Sequence, residues 1–152
     1  MIRSFSLRNP IEFLALGFGS GLAPKAPGTF GTLAAIPIVL ALSNVTISVY
    51  IALTVLFALA GIYICGKAAQ NVGVHDHPAI VWDEIVGYMI AMIAIPVTVE
   101  TVFIAFVLFR IFDILKPWPI SWLDKHCKDG FGIMIDDIAA GFAVLVVMQF
   151  IY

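Results

Sequence analysis

Residues 46–65 carry no charged side chain, and this run decides the surroundings of the chain before any other feature does. Twenty apolar residues in a helix rise about 30 Å, the depth of a bilayer's hydrocarbon core. Three further apolar runs, 32–42, 85–109 and 138–152, keep charge at their edges, with Glu100 the one exception. Charged residues are 12% of the chain and mean hydropathy is +1.06, whereas a soluble domain is about a quarter charged. The expected fold is therefore all-α: one integral-membrane domain over 1–152, a polytopic bundle of about five short spans, with an interfacial helix at 11–18. A net charge of −2 gives no reason to expect nucleic acid as a partner. The bilayer itself is the partner, and no oligomeric state can be assigned from the sequence. Arg3 and Arg8 precede no long apolar segment with a cleavage site, so the N-terminus reads as a retained cytoplasmic end.

Pro96 and Glu100 interrupt the 85–109 run, which is either one long span or a tight hairpin. Parity favours the hairpin. With a cytoplasmic N-terminus and a turn at 96–100, Arg3, Arg8, Lys25, Lys67, Arg110, Lys116, Lys125 and Lys128 all fall on the inner side. The outer turns at 43–45 and 97–100 then carry no cation. A single span would bury Glu100 in hydrocarbon at a cost of roughly 2.5–3.5 kcal/mol. The hairpin's weakness is length, since arms of about 12–15 residues reach only some 20 Å.

The same parity gathers acids. Asp83 and Glu84 begin one span, Asp113 ends the next, and Asp136 and Asp137 precede the last. Each has a plain explanation. Asp83 and Asp136 suit helix N-caps, and Glu84 and Asp137 suit a first turn, where the dipole favours an anion. Asp113 resists that account because it lies in a last turn. Its plain reading is an ion pair with Arg110 or Lys116, each three residues away. Pro117 and Pro119 then stop the helix. Two carboxylates about 4 Å apart repel by about 4 kcal/mol at an effective dielectric near 20, so five in a small space require cations or the protonation of some of them. Hard oxygen ligands suit Mg²⁺, which keeps waters and phosphates among its ligands. Lys116 and Arg110 beside such a cluster suit a phosphate. The glycine-proline loop before span one, with Gly28, Thr29 and Thr32, offers backbone donors and hydroxyls.

Several other sites have no support. No G-x-G-x-x-G or G-x-x-x-x-G-K-[ST] pattern occurs, and neither Cys65 nor Cys127 has metal or phosphatase spacing. Cys65 reads as a small buried residue. His75 and His77 flank Asp76 in a polar loop and could bind metal, but two residues apart they point different ways on a helix and His126 is the only other histidine, so a solvated loop or an auxiliary acid is the better reading.

Four segments in order resemble the phosphatidylglycerophosphatase A family. They are Gly17-Phe-Gly-Ser-Gly21 with Ala26-Pro-Gly-Thr29-Phe-Gly-Thr32, Val81-Trp-Asp83-Glu84-Ile-Val-Gly87, Phe109-Arg110-Ile-Phe-Asp113-Ile-Leu-Lys116-Pro117-Trp-Pro119, and Gly130-Phe-Gly132-Ile-Met-Ile-Asp136-Asp137-Ile-Ala-Ala-Gly141. The resemblance spans nearly the whole chain. It implies a Mg²⁺-dependent lipid phosphatase of the bacterial cytoplasmic membrane, acting on the terminal phosphomonoester of phosphatidylglycerophosphate. In that reading Asp83, Glu84, Asp113, Asp136 and Asp137 are the catalytic and metal residues, while Arg110, Lys116, Gly28, Thr29 and Thr32 hold the substrate phosphate. A phosphatase for another membrane lipid phosphate and a small ion-conducting protein are the rivals, the latter because carboxylates within spans usually mark ion pathways.

Overall fold

A computed structural model of the chain describes residues 5–73, 79–116, 118, 120–122 and 130–152. Arg3, the His75–His77 loop, Pro117, Pro119 and the 123–129 segment with Lys125, His126, Cys127 and Lys128 lie outside the described residues. In chain order the elements are α1 (Pro10–Ala15), a 3-10 turn (Ser20–Leu22), α2 (Pro27–Ala41), α3 (Ile47–Val72), α4 (Trp82–Ala91), α5 (Val99–Leu115) and α6 (Gly130–Ile151), with no β-strand among the described residues.

The helix ends follow local chemistry. Asn9 caps α1 by accepting from the Ile11 and Glu12 N–H groups, and Pro10 and Pro27 open α1 and α2, where a missing N–H costs nothing. Thr46 caps α3, and Gly73 ends it in a left-handed conformation (φ 79°). Thr98 and Thr101 form a reciprocal capping box at the start of α5. Between α4 and α5 the chain leaves the helix at 92–98, so 85–109 is two helices rather than one. Glu100 stands in the first turn of α5, just after that bend, and accepts a hydrogen bond from the Tyr152 hydroxyl at 2.7 Å.

α3 and α6 are each long and apolar enough to cross a membrane. α3 also turns Leu56, Leu59 and Tyr63 outward, each more than half exposed, a large apolar surface that suits lipid rather than water. α4 is the opposite case. Nine of its ten residues are buried, and it packs against α2, α3, α5 and α6. Ten residues rise about 15 Å, half the hydrocarbon depth, so α4 is a short central plug.

Three hydroxyl contacts give the helix directions. Tyr50 near the start of α3 donates to the Met89 carbonyl at the end of α4 (2.6 Å). Tyr88 of α4 donates to the Val102 carbonyl near the start of α5 (2.8 Å), and Tyr152 after α6 reaches Glu100. The starts of α3 and α5 therefore share one end of the bundle with the ends of α4 and α6. The opposite end collects the starts of α4 and α6 and the end of α5.

Candidate active site

That opposite end holds the acids. α4 and α6 run side by side in the same direction and touch through glycine. A Cβ on Gly87 would meet the Asp137 carbonyl oxygen at 2.7 Å and the Phe109 ring at 2.6 Å, and one on Gly141 would collide with the Gly87 carbonyl. Small residues let helix backbones approach this closely. Asp83 lies four residues before Gly87, and Asp137 four before Gly141, so each acid stands one turn from the contact on its own helix. Close approach of the backbones thus presses the acidic turns together.

The outcome is two overlapping triads. Carboxylate oxygens of Asp83, Glu84 and Asp137 all lie within 4.8 Å of one another, and so do those of Asp113, Asp136 and Asp137. Asp137 belongs to both. Asp83, Asp136 and Asp137 are 4%, 6% and 2% exposed, burial that unpaired charges do not tolerate. The capping explanation fails for Asp83, Asp136 and Asp137, and only Glu84 keeps its expected first-turn place. α6 begins at Gly130, so Asp136 and Asp137 sit more than a turn inside it, where no free N–H awaits a cap. Asp83 is inside α4 by one residue, after the cap position at Val81. Asp83 and Asp136 each accept instead from the N–H of the next residue, Glu84 and Asp137, at 3.0 Å.

Two cations answer part of the charge. Arg110 Nη1 donates to Glu84 at 2.9 Å and to Asp113 at 2.7 Å. Lys116 Nζ lies 2.9 Å from Asp136 and 3.8 Å from Asp113. Asp113 therefore has the ion pairs expected of it and lies in the acid cluster as well. Lys116 closes α5 in a left-handed conformation (φ 48°), which costs a residue with a Cβ about 1–2 kcal/mol, and from there its ammonium meets Asp136. Burial opposes its charge, but Asp136, Asp113 and Asp137 outweigh that and raise its pKa above the ordinary lysine value. Asp137 has no ion pair among the described residues, and its Oδ1 is buried without a hydrogen-bond partner.

The donor set fits a hard divalent cation. It is all oxygen, it converges from α4, α5 and α6, and it includes a buried carboxylate oxygen with no protein donor. Of the loop residues, Gly28 reaches the site: a Cβ there would lie 3.0 Å from both Arg110 terminal nitrogens and from Glu84 Oε1. Thr32 is buried one turn on and donates to the Gly28 carbonyl at 2.8 Å. Thr29 is half-buried beside them, with no hydrogen bond to any described acid. Gly21 and Gly31 serve packing instead. Gly21 lies against the Ala79 carbonyl and Gly31 against Val81, in the segment that leads into α4.

Sequence reasoning gave Gly87 and Gly141 no role, although the D-x-x-x-G spacing recurs from Asp83 and from Asp137. It also passed over Glu12, which is wholly buried, accepts from the Ser6 N–H at 3.1 Å and from Asn71 at 3.4 Å, and ties α1 to the end of α3.

The sequence model for phosphatidylglycerophosphatase A matches residues 13–152. A phosphatidylglycerophosphatase A of Haemophilus influenzae is 49% identical over 99% of this chain and 94% of its own length. The Escherichia coli protein of that name is 45% identical over 95% of this chain and 85% of its own. A Bacteroides thetaiotaomicron protein provisionally named phosphatidylinositol-3-phosphatase is 40% identical over 84% of each chain. No solved structure matches.

Proposed function

Because the chain belongs to the phosphatidylglycerophosphatase A family, we propose that it hydrolyses the terminal phosphomonoester of phosphatidylglycerophosphate, releasing phosphatidylglycerol and phosphate, with Mg²⁺ as cofactor. The observation that carries this reading is the meeting of Asp83, Glu84, Asp113, Asp136 and Asp137 around one shared acid, with Arg110 and Lys116 at its edge. An ion-conducting protein needs acids spaced along a path, whereas these are gathered at one end of the bundle.

The two triads would hold the cation, or two cations sharing Asp137. Bound there, Mg²⁺ supplies positive charge to the phosphoryl oxygens and makes a water more acidic. The chain's own groups do the rest. Lys116, about a third exposed, stands at the mouth and meets the incoming phosphate first. Arg110 is held rigid by Glu84 and Asp113, and presents its guanidinium beside Gly28, where the missing side chain leaves room for a phosphoryl oxygen. A carboxylate of the cluster takes the proton of the attacking water. The expelled oxygen leaves toward Lys116, whose ammonium steadies the developing charge, and the proton taken from the water returns to it to give the hydroxyl of phosphatidylglycerol.

The membrane setting follows from the same end of the bundle. We place the site on the cytoplasmic side of the bacterial inner membrane, since Arg110 and Lys116 stand at that end and the turns at 43–45 and 92–98 carry no cation. Asp137 is fourteen residues from the end of α6, about 21 Å, so the acids stand less than a full ~30 Å core depth from the far end of the bundle. A bilayer thinned at that point brings head groups down to the acids.

A second reading is a phosphatase for a different lipid phosphate, favoured by the relative named for a phosphatidylinositol 3-phosphate substrate. Phosphate release by the purified protein from phosphatidylglycerophosphate, phosphatidylinositol 3-phosphate and phosphatidic acid separates the two. Preference for the first supports the proposal, and preference for either of the others replaces it.

A further inference from the structure

We propose that the apolar groove between α2 and α5 seats an acyl chain of the lipid substrate, so that the substrate is taken sideways from the bilayer with its tail still in hydrocarbon. The inference rests on the functional reading above and adds where the lipid tail goes.

The groove encloses about 680 Å³, in the size range of small-molecule sites. Leu33, Ile36 and Leu40 form one wall, and Val102, Phe103 and Phe106 the other. What distinguishes it from the rest of the apolar surface is where its walls lead. On α5, Arg110 is four residues and Asp113 seven residues beyond Phe106, so the groove face continues within a turn into the site's own side chains. On α2, Thr29 is four residues before Leu33, and Gly28, against the Arg110 guanidinium, is its neighbour. Both walls therefore run from hydrocarbon into the place where the phosphate is held. The outward face of α3, with Leu56 and Leu59, is as apolar but does not lead to the acids.

The dimensions agree. From Arg110 back to Phe103 is seven residues, about 10 Å of helix, within the ~15 Å depth of one leaflet's hydrocarbon. A lipid whose phosphate sits by Arg110 has a tail that points along α5 in this direction. Leu33 and Phe103 are 42% and 65% exposed, so the groove is open sideways to the hydrocarbon.

The test compares dioleoyl and dibutyryl phosphatidylglycerophosphate in mixed micelles, using the wild-type protein, Leu33→Trp, which fills the groove, and Phe103→Ala, which removes one wall. The ratio of KM for the dioleoyl to the dibutyryl substrate should rise about tenfold in each variant, the worth of roughly two buried methylenes. An unchanged ratio in a folded variant overturns the proposal. If one variant fails to fold, the other carries the test. A dioleoyl analogue with a diazirine midway along the chain provides an independent measurement. It should label α5 near Phe103 and be displaced by excess substrate but not by phosphatidylcholine. Equal displacement by phosphatidylcholine means ordinary boundary lipid, and sinks the proposal. Release of phosphate by the wild-type protein from neither substrate overturns the functional reading itself, and this inference with it.

Discussion

Gly87→Ala probes the contact that builds the site. The new Cβ would stand 2.7 Å from the Asp137 carbonyl oxygen and 2.6 Å from the Phe109 ring. Carbon and carbonyl oxygen rest at about 3.3–3.6 Å, so α4 and α6 must part by about 0.6–0.9 Å at this point. The clash falls on the backbone of Asp137 itself, the acid common to both triads, and cannot be relieved by turning a side chain. Overpacking of this kind costs about 1–3 kcal/mol of stability, which a membrane bundle can absorb while still folding. Activity should suffer more, because misplacing catalytic groups by about 1 Å costs on the order of 10²-fold. The assay is phosphate release from phosphatidylglycerophosphate, with helicity and elution in detergent as checks on folding. Gly61→Ala is the control: its Cβ would meet the Met134 sulfur and the Trp82 ring at 2.7 Å, side-chain atoms that include a pliable thioether. It should lose less than about fivefold. A folded Gly87→Ala protein with activity near that of wild type would refute the claim that this crossing sets the acid geometry.

Asp137→Asn keeps the shape but removes the charge shared by both triads, and should lower kcat by at least about 10²-fold with membrane insertion intact; activity within tenfold would remove it from the site. Asp113→Asn should behave alike, and near-normal turnover at saturating Mg²⁺ would show that Asp113 serves only its ion pairs with Arg110 and Lys116. Arg110→Lys keeps the charge but not the fork that spans Glu84 and Asp113, so kcat/KM should fall about tenfold or more despite conserved charge. For orientation, cysteines replacing Ser43 and Lys25 in a background lacking Cys65 and Cys127 are offered a membrane-impermeant maleimide on intact cells. Ser43→Cys should label and Lys25→Cys should not, and the reverse pattern would invert the proposed topology.

Much of the architecture was legible because apolar run length and charge position are one-dimensional signals. The break in 85–109 was readable from Pro96 and Glu100, although the helix stops earlier, at Ala91, where Tyr50 and Tyr88 tie both sides of the bend to carbonyls. The convergence of Asp83, Glu84, Asp113, Asp136 and Asp137 was likewise legible, since parity alone put them at one end. Helix boundaries were less so. The last apolar run of the sequence opens at Ile138, but its helix begins at Gly130, because a turn carrying two acids is stable once Lys116 and neighbouring helices surround it. The glycine-rich loop was misleading for a physical reason. Glycine permits close approach to a ligand and to another backbone alike, and Gly21 and Gly31 serve the second purpose while Gly28 alone lies against Arg110 and Glu84. Burial of Glu12 left no trace in a sequence where one glutamate in a short helix resembles any exposed one.

The most direct measurement is phosphate release from phosphatidylglycerophosphate by the purified protein before and after chelation with EDTA, followed by restoration of Mg²⁺. If the five acids on α4, α5 and α6 hold a divalent cation, as proposed, release stops on chelation and returns with Mg²⁺. Undiminished release in the chelated protein would mean that the cluster acts without a cation, and the account built on it would be wrong.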